Sequence, residues 1–244
     1  MTLIVVVPCF NEASRFDADQ FRHLLSLVPG MRLRFVDDGS TDQTSSVLSG
    51  FVATEPDRAT VMSLPTNVGK GEAIRQGILT ALAESPSWVA YVDADLATPP
   101  EEVCRLWEEH HDDVLLDVFF GSRIRLCGSR IERREGRHLV GRLFAHLAAR
   151  TLGTHVYDTQ AGVKFLRNTP ELAKVLTVPF CDRWSFDVEL LGRLGRLGVF
   201  PARAMETPLR TWRDVPASNV SLRQGAASVL SLWRVHRRLR SFLS

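Results

Sequence analysis

The chain has 244 residues, 45% of them hydrophobic and 24% charged, with a formal net charge of +2. That length suits one large α/β domain or two small ones, and the composition is that of an ordinary globular protein. The near-neutral total, with basic residues that lack interleaved aromatics, argues against a nucleic-acid partner, and no apolar run reaches the roughly 20 residues that span a bilayer.

Short β-rich runs alternate with helical patterns. Leu3–Val7 is a buried strand by its β-branched composition. With no basic leader before it and Pro8 close behind, it reads as a first strand and not a signal peptide. Asp17–Val28 follows as a helix and Leu33–Val36 as a strand. That strand ends in Asp37-Asp38-Gly39-Ser40-Thr41-Asp42, where Ser40 or Thr41 is expected to cap a helix reaching about Val52. Thr60–Leu64 is the next strand, Gly69–Ala83 a helix and Trp88–Val92 a strand. Pro99-Pro100-Glu101-Glu102 opens a helix, with proline near its first turn and acids at its positive end. Val118–Phe120 is a further strand. The rhythm predicts an α/β fold with a doubly wound, mostly parallel sheet, in which ligands bind beyond the carboxyl ends of the strands. The polar clusters Pro8–Glu12, Asp37–Asp42, Thr66–Gly71 and Asp93–Asp95 all fall there and mark one site.

Past Arg123 the pattern changes. Arg123, Arg125, Arg130, Arg133, Arg134, Arg137, Arg142 and Arg150 stand against only Glu132 and Glu135. Arginine without lysine suits forked recognition of phosphate oxygens, although the same stretch could be a solvated face. The helix 138–152 is amphipathic, and its spacing favours packing on its own core over lipid. Polar clusters follow at Asp158–Phe165 and Arg183–Glu189. From Val220 a basic helix carries Val229, Leu232, Trp233, Val235, Leu239 and Phe242, and suits a membrane interface or docking on the sheet equally. Cys9, Cys104, Cys127 and Cys181 show no metal-ligand spacing and read as buried or inert thiols of a reducing cytoplasm.

Asp93-Ala94-Asp95 closes the apolar run Trp88–Val92. Ionised aspartates are costly to bury unpaired, so two of them where a strand meets solvent are not there for packing. Their use is to hold a hard divalent cation through oxygen, with positions left for a substrate's phosphates. The plainer alternative is a capped strand-to-helix turn. Asp37 and Asp38 could likewise form only a turn with Gly39, and Lys70 could be a solvated lysine at a helix start.

Seven motifs in order cover about the first 190 residues, with Thr211-Trp212 beyond. They are Val7-Pro8-Cys9-Phe10-Asn11-Glu12, Val36-Asp37-Asp38-Gly39-Ser40-Thr41-Asp42, Asn67-Val68-Gly69-Lys70-Gly71, Asp93-Ala94-Asp95-Leu96-Ala97-Thr98-Pro99-Pro100, Gly121-Ser122-Arg123, Asp158-Thr159-Gln160-Ala161-Gly162-Val163-Lys164 and Arg183-Trp184-Ser185-Phe186-Asp187-Val188-Glu189. Together they resemble the family-2 glycosyltransferases of the GT-A fold, most nearly the dolichyl-phosphate glucosyltransferase or polyprenyl-phosphate sugar synthase branch.

The resemblance implies a catalytic domain over residues 1–215, with a nucleotide-sugar half (1–122) and an acceptor half (123–215), and a basic amphipathic helix over 216–244. Pro8, Phe10, Asn11 and Glu12 would line the nucleoside pocket. Asp37, with Asp38 beside it, would accept a hydrogen bond from the base. Gly69 and Lys70 would approach the ribose and diphosphate. Asp93 and Asp95 would orient the sugar nucleotide and its Mg²⁺ or Mn²⁺, Asp95 as the direct ligand, so that the cation stabilises the departing diphosphate. A lipid-phosphate acceptor is already anionic and needs cationic positioning, for which Arg123 with Arg133, Arg134 or Arg137 are the candidates. A hydroxyl acceptor would need a base instead, Asp187 or Glu189. Asp158, Gln160, Lys164 and Asp187 would shape the sugar and acceptor pocket.

The expected reaction is transfer of a hexose with inversion, glucose from UDP-glucose before mannose from GDP-mannose, to a polyprenyl phosphate at the cytoplasmic face of a membrane. Two departures stand out. Ala97 occupies a position where many mannosyl relatives carry glutamine, and the sequence starts at the first strand where eukaryotic glucosyl relatives carry an anchor. Lipid access is therefore expected through a surface helix or a membrane partner. The competing readings are a family-2 enzyme with a soluble or glycan hydroxyl acceptor, and a non-catalytic nucleotide-sugar-binding protein.

Overall fold

Alternation along β1 (Leu3–Cys9) sets the architecture, with Leu3, Val5 and Val7 in one layer of core and Ile4 and Val6 in the other. Both faces of the strand are covered, as in doubly wound sheets. The computed structural model describes residues 1–132, 138–183, 185–213 and 222–242, with the side chains of 138–143 and 222–229 outside that set. After β1 come α1 (Ala18–Leu27), β2 (Met31–Asp37), α2 (Thr44–Thr54), β3 (Ala59–Ser63), α3 (Lys70–Leu82), β4 (Trp88–Val92), α4 (Pro100–His110) and β5 (Val118–Ser122). The remainder is β6 (Arg130–Glu132), α5 (His138–Leu152), β7 (Val163–Arg167), α6 (Pro170–Val175), α7 (Phe186–Arg196), β8 (Ala204–Pro208), β9 (Thr211–Arg213) and α8 (Leu222–Ser241).

Seven strands form one sheet in the order β3-β2-β1-β4-β7-β5-β8, and β6 pairs with β9 in a second. The expected doubly wound, mostly parallel sheet is borne out. Strand β7 alone in the large sheet runs against its neighbours, antiparallel to both β4 and β5. It places Lys164 opposite Tyr91 and Phe120. This strand falls in a segment whose polar residues masked it in sequence.

Phe21 and Leu24 of α1, Leu48 and Phe51 of α2, and Val103 and Trp107 of α4 fill one layer; Ile74 and Ile78 of α3, Leu172 of α6 and Leu190 of α7 fill the other. Burying each such side chain contributes about 1.5–3 kcal/mol against its exposure to water. A third cluster joins Phe144 and Ala148 of α5 to Val188 of α7 and Leu232, Val235 and Leu239 of α8. Among the described residues the C-terminal helix thus docks on α5 and α7, where docking on the sheet was one of the expectations. In all, the four cysteines are unpaired, and Cys127 and Cys181 are exposed where burial was one of the expectations.

Asp17, expected inside the first helix, caps α1 instead, accepting from the amides of Asp19 and Gln20. The expected cap of α2 is displaced. That helix starts at Thr44 behind Gln43, which makes no side-chain cap. Ser40 and Thr41 are engaged elsewhere: the Asn11 amide donates to Ser40 Oγ at 3.0 Å, and the Thr41 amide donates to Asn11 Oδ1 at 2.9 Å. The two residues tie the loop after β2 to the loop after β1, which matters for the site.

Candidate active site

The carboxyl ends of β1 and β2, the turn into α3 and the loop before α7 enclose a cleft of about 340 Å³, lined among others by Pro8, Phe10, Glu12, Asp38, Gly69 and Lys70; Asp93 and Asp95 lie beside it, behind Lys70, and not in its lining. Six residues expected at a nucleotide site therefore share one cavity. Cys9, Asn67 and Arg183 line it as well. Asn11 turns the chain at the rim with φ of 54°, in the left-handed region where asparagine is tolerated.

The two aspartates after β2 divide their work. Asp37 is buried and its Oδ1 accepts from the Ser40 amide at 3.0 Å. Asp38 accepts from the amides of Val68 at 2.7 Å and Gly69 at 2.8 Å and from Asn67 Nδ2 at 3.1 Å, which pins the loop leading into α3. Between them and that loop, Gly39 has φ of +66°, and a Cβ there would stand 2.5 Å from the Thr66 carbonyl carbon. Only glycine fits such a turn. Asp38, and not Asp37, borders the cleft.

At the end of β4 the Asp93 amide donates to the Gly162 carbonyl at 3.1 Å, and Lys70 Nζ lies 2.6 Å from Asp93 Oδ1. That close ion pair is the contact made by the buried Asp93 Oδ1 among the described residues. Burial works to lower the Lys70 pKa, but the charges of Asp93 and Asp187 outweigh it and the net shift is upward. Asp95 accepts from the Ala97 amide at 3.1 Å. Its carboxyl is raised above the usual carboxylate range, first by burial and then by the charge of Asp93. Glu12 is raised as well, by burial and with Asp95 and Asp93 adding, against the pull of Arg15 at 2.5 Å. Leu96, next to this acidic turn, is held at φ of 44°, a strained conformation for a branched residue.

Among the described residues no group of three or more His, Cys, Asp or Glu gathers to hold a metal ion. The chain's own offering is Asp93 and Asp95. The pair fits a hard cation, because Lys70 is the one cation ion-paired with Asp93 among the described residues and Asp95 is short of positive charge. Two carboxylates leave further coordination positions for phosphate oxygens.

In the segment after β5 the charges are already paired. Arg123, just past β5, grips Asp158 with Nε at 2.6 Å and Nη2 at 2.8 Å while its amide donates to the same carboxylate at 3.0 Å. The guanidinium also lies over the Trp212 ring at 5.3 Å. Lys164, fully buried, places Nζ 2.8 Å from Asp187 Oδ1 and donates to the Ala161 carbonyl at 2.9 Å. The Tyr91 hydroxyl donates to the same Asp187 oxygen. Burial, with the Asp187 charge second, pushes that hydroxyl well above the ordinary phenol range. Asp187 sits in the first turn of α7, where a negative charge is favoured. Glu189 is completely buried against Arg193 at 2.5 Å and accepts from the Cys181 amide at 2.8 Å. Gln160 is half-buried beside Asp158. Arg133, Arg134, Arg137 and Trp184 lie outside the described residues.

Arg183 was visible in a motif but carried no assigned role. Its guanidinium donates to the Asn67 carbonyl at 3.0 Å and to Asn67 Oδ1 at 3.2 Å, so it reaches from the loop before α7 to the cleft wall. Tyr91 was read as strand filling, since its neighbours are all apolar. Only the pairing of β4 with β7 brings its hydroxyl to Asp187.

A family model described as Glycosyl transferase family 2 matches residues 4–191. A dolichyl-phosphate beta-glucosyltransferase of Dictyostelium discoideum is 30% identical over 212 residues, covering 81% of this chain and 63% of that protein. One of Drosophila melanogaster is 33% identical over 216 residues, covering 78% and 62%. A polyprenol monophosphomannose synthase of Mycolicibacterium smegmatis is 28% identical, covering 89% and 80%. The chain thus spans about six tenths of the length of the glucosyltransferases it matches. Glucosyl-3-phosphoglycerate synthase from Mycobacterium tuberculosis, crystallised with Mn²⁺, UDP-glucose and phosphoglyceric acid, superposes with a TM-score of 0.65 at 21% identity, covering 97% of this chain and 80% of that one. That likeness bears on the fold, and it agrees with the GT-A architecture expected above.

Proposed function

Since this chain belongs to glycosyl transferase family 2, we propose that it transfers a hexose, glucose from UDP-glucose, to a polyprenyl phosphate with inversion at the sugar carbon. Residues 1–122 would hold the donor and 123–215 the acceptor, at the cytoplasmic face of a membrane on which the protein is peripheral. Among the described residues no helix is long and apolar enough to cross a membrane.

The observation that carries this reading is the contrast between the acidic turn at the end of β4 and the neutralised charges of Arg123, Asp158, Lys164 and Asp187. In the donor cleft, Pro8, Phe10, Asn11 and Glu12 would border the nucleoside, with Asp38 at the wall beside the base and Asp37 behind it bracing the turn. Gly69 makes room for the Arg183 side chain, whose Cγ a Cβ there would approach to 2.7 Å, and Lys70 and Arg183 would bring positive charge to a diphosphate. Asp93 and Asp95 would hold Mg²⁺ or Mn²⁺, which supplies charge to the departing diphosphate. Asp187 is ion-paired with Lys164 and hydrogen-bonded by Tyr91, and so is poorly placed to take a proton from a hydroxyl acceptor. A phosphate monoester needs no such base, being already ionised, and requires only orientation. Arg123, with Asp158, Gln160 and Lys164 around it, and Arg133, Arg134 and Arg137 nearby in sequence, would supply that orientation. The dolichyl-phosphate and polyprenol names of the relatives agree with it.

The test is a panel of sugar nucleotides offered with a polyprenyl phosphate in detergent and, separately, with sugar acceptors. Turnover is expected with the lipid phosphate, UDP-glucose leading. Asp95→Ala should lower kcat by on the order of 10³-fold, as loss of a main electrostatic element does, with folding intact because Asp95 anchors only the Ala97 amide. Turnover on sugar hydroxyls alone would replace the acceptor assignment. Nucleotide binding with no transfer to any acceptor would favour a non-catalytic binder.

A further inference from the structure

We propose that the outward face of α8 docks on an anionic lipid bilayer. The inference deepens the reading above, resting on it for an acceptor whose tail lies in a membrane. The inward face of α8 is satisfied, with Leu232, Val235 and Leu239 buried on α5 and α7. The opposite face nevertheless shows Trp233 at 55% and Leu230 at 58% exposure. Helical spacing puts Leu230, Trp233, Arg234 and Arg237 on one stripe, and the Arg237 guanidinium stacks over the Trp233 ring at 4.8 Å. Residues 215–244 contain Arg223, Arg234, Arg237, Arg238 and Arg240 and no Asp or Glu. An exposed indole and leucine flanked by arginines, on a helix already anchored along its other side, is the composition that settles at an anionic headgroup layer.

Placement ties this stripe to the site. The Ser231 hydroxyl donates to Ser185 Oγ, the residue before Phe186 and Asp187. Arg234 approaches Asp182 at 4.0 Å, next to Arg183, which reaches the cleft wall. The stripe therefore begins beside the acceptor wall, so a bilayer lying on it would present lipid phosphates close to the cleft.

Co-sedimentation of the full chain with vesicles tests this. Binding to phosphatidylcholine vesicles containing phosphatidylglycerol is expected, with little binding to phosphatidylcholine alone and release by high salt. Arg234→Glu with Arg237→Glu should weaken binding by more than about tenfold, and Trp233→Ala by about tenfold. Trp233→Phe should retain most of it, and UDP binding by calorimetry should be unchanged throughout. No vesicle binding, equal binding to both lipids, or a Trp233→Ala chain that binds as before would overturn the proposal. So would a dimer of the unaltered chain that Trp233→Ala dissociates, since a second copy would then cover the stripe. A short-chain, water-soluble prenyl phosphate separates this from the reading above. Turnover of it without vesicle binding overturns the docking face alone. Vesicle binding as described without any turnover upholds the face and overturns the transferase reading.

Discussion

In residues 1–122 the acids around the cleft outrun their cations. Glu12, Asp93 and Asp95 face Lys70 and Arg15, and burial with mutual repulsion drives Glu12 and Asp95 upward. In residues 123–215 each of the main buried acids has its own cation: Asp158 has Arg123, Asp187 has Lys164 and Glu189 has Arg193. The first region is left short of positive charge, which suits a ligand that arrives with a metal ion. The second is neutral before any ligand comes, and its pairs also serve as struts. Arg193 alone donates to the carbonyls of Val175, Val178 and Pro179, fixing the chain that leads to Arg183. Residual charge marks where binding energy is to be gained, and internal pairing marks where shape is to be kept.

The comparison breaks most visibly at Lys164. Lys164→Met leaves the Asp187 carboxylate buried with only the Tyr91 hydroxyl, and should destabilise the fold by about 3–5 kcal/mol in urea titrations. Lys164→Met combined with Asp187→Leu removes both charges and should recover most of that loss. A double variant no more stable than the single one would mean that packing, and not charge pairing, holds this wall. Glu12→Gln in the first region is expected to cost less than about 1 kcal/mol, because its charged form is already disfavoured.

Much of the first region was legible in sequence, and the reason is local. Its strands are continuous apolar runs, each followed within a residue or two by its polar cluster, so Asp38, Gly69, Lys70 and Asp93 could be placed at strand ends without knowing the pairing. The second region is built from long-range pairs. Lys164 and Asp187 are 23 positions apart by their numbers, and Tyr91 joins them only because β7 inserts antiparallel between β4 and β5. A five-residue strand with lysine at its second position carries no pattern that announces it. Ser40 and Thr41 show the same limit at short range. They were read as caps of the next helix, but Asn11, some 30 positions away, claims both.

Gly162 is one of the points where the two regions touch, and it allows a sharper cut. Its carbonyl accepts from the Asp93 amide, and a Cβ added to it would overlap the Asp93 carboxylate. Gly162→Ala should therefore displace Asp93 from Lys70 while leaving β7 in place. We expect kcat to fall between about 10- and 100-fold, as for a misplaced catalytic group, with the urea midpoint little changed. A large loss of stability with proportionate loss of activity would show that the contact supports the fold and not the acidic turn.

The smallest effect is expected at the seam between α4 and β8, away from both walls. His110 Nε2 lies 2.7 Å from Thr207 Oγ1, beside the bonds from Arg105 to the Pro208 carbonyl and from the Arg210 amide to Glu102. Burial, aided by Arg105, lowers the His110 pKa against the opposing pull of Glu109 and Asp113. The unfolded chain then binds a proton at higher pH than the folded one. His110's contribution is fully present above the ordinary histidine range. It declines as pH falls through that range and levels off below the depressed folded value. His110→Gln should flatten this limb of the stability–pH curve by well under about 1 kcal/mol, since the ring is partly exposed and screened. The seam carries no charge imbalance of the kind found at Asp95, so the same substitution should leave nucleotide affinity unchanged across that pH interval. A parallel shift in affinity would mean that the two regions are coupled through α4 as well.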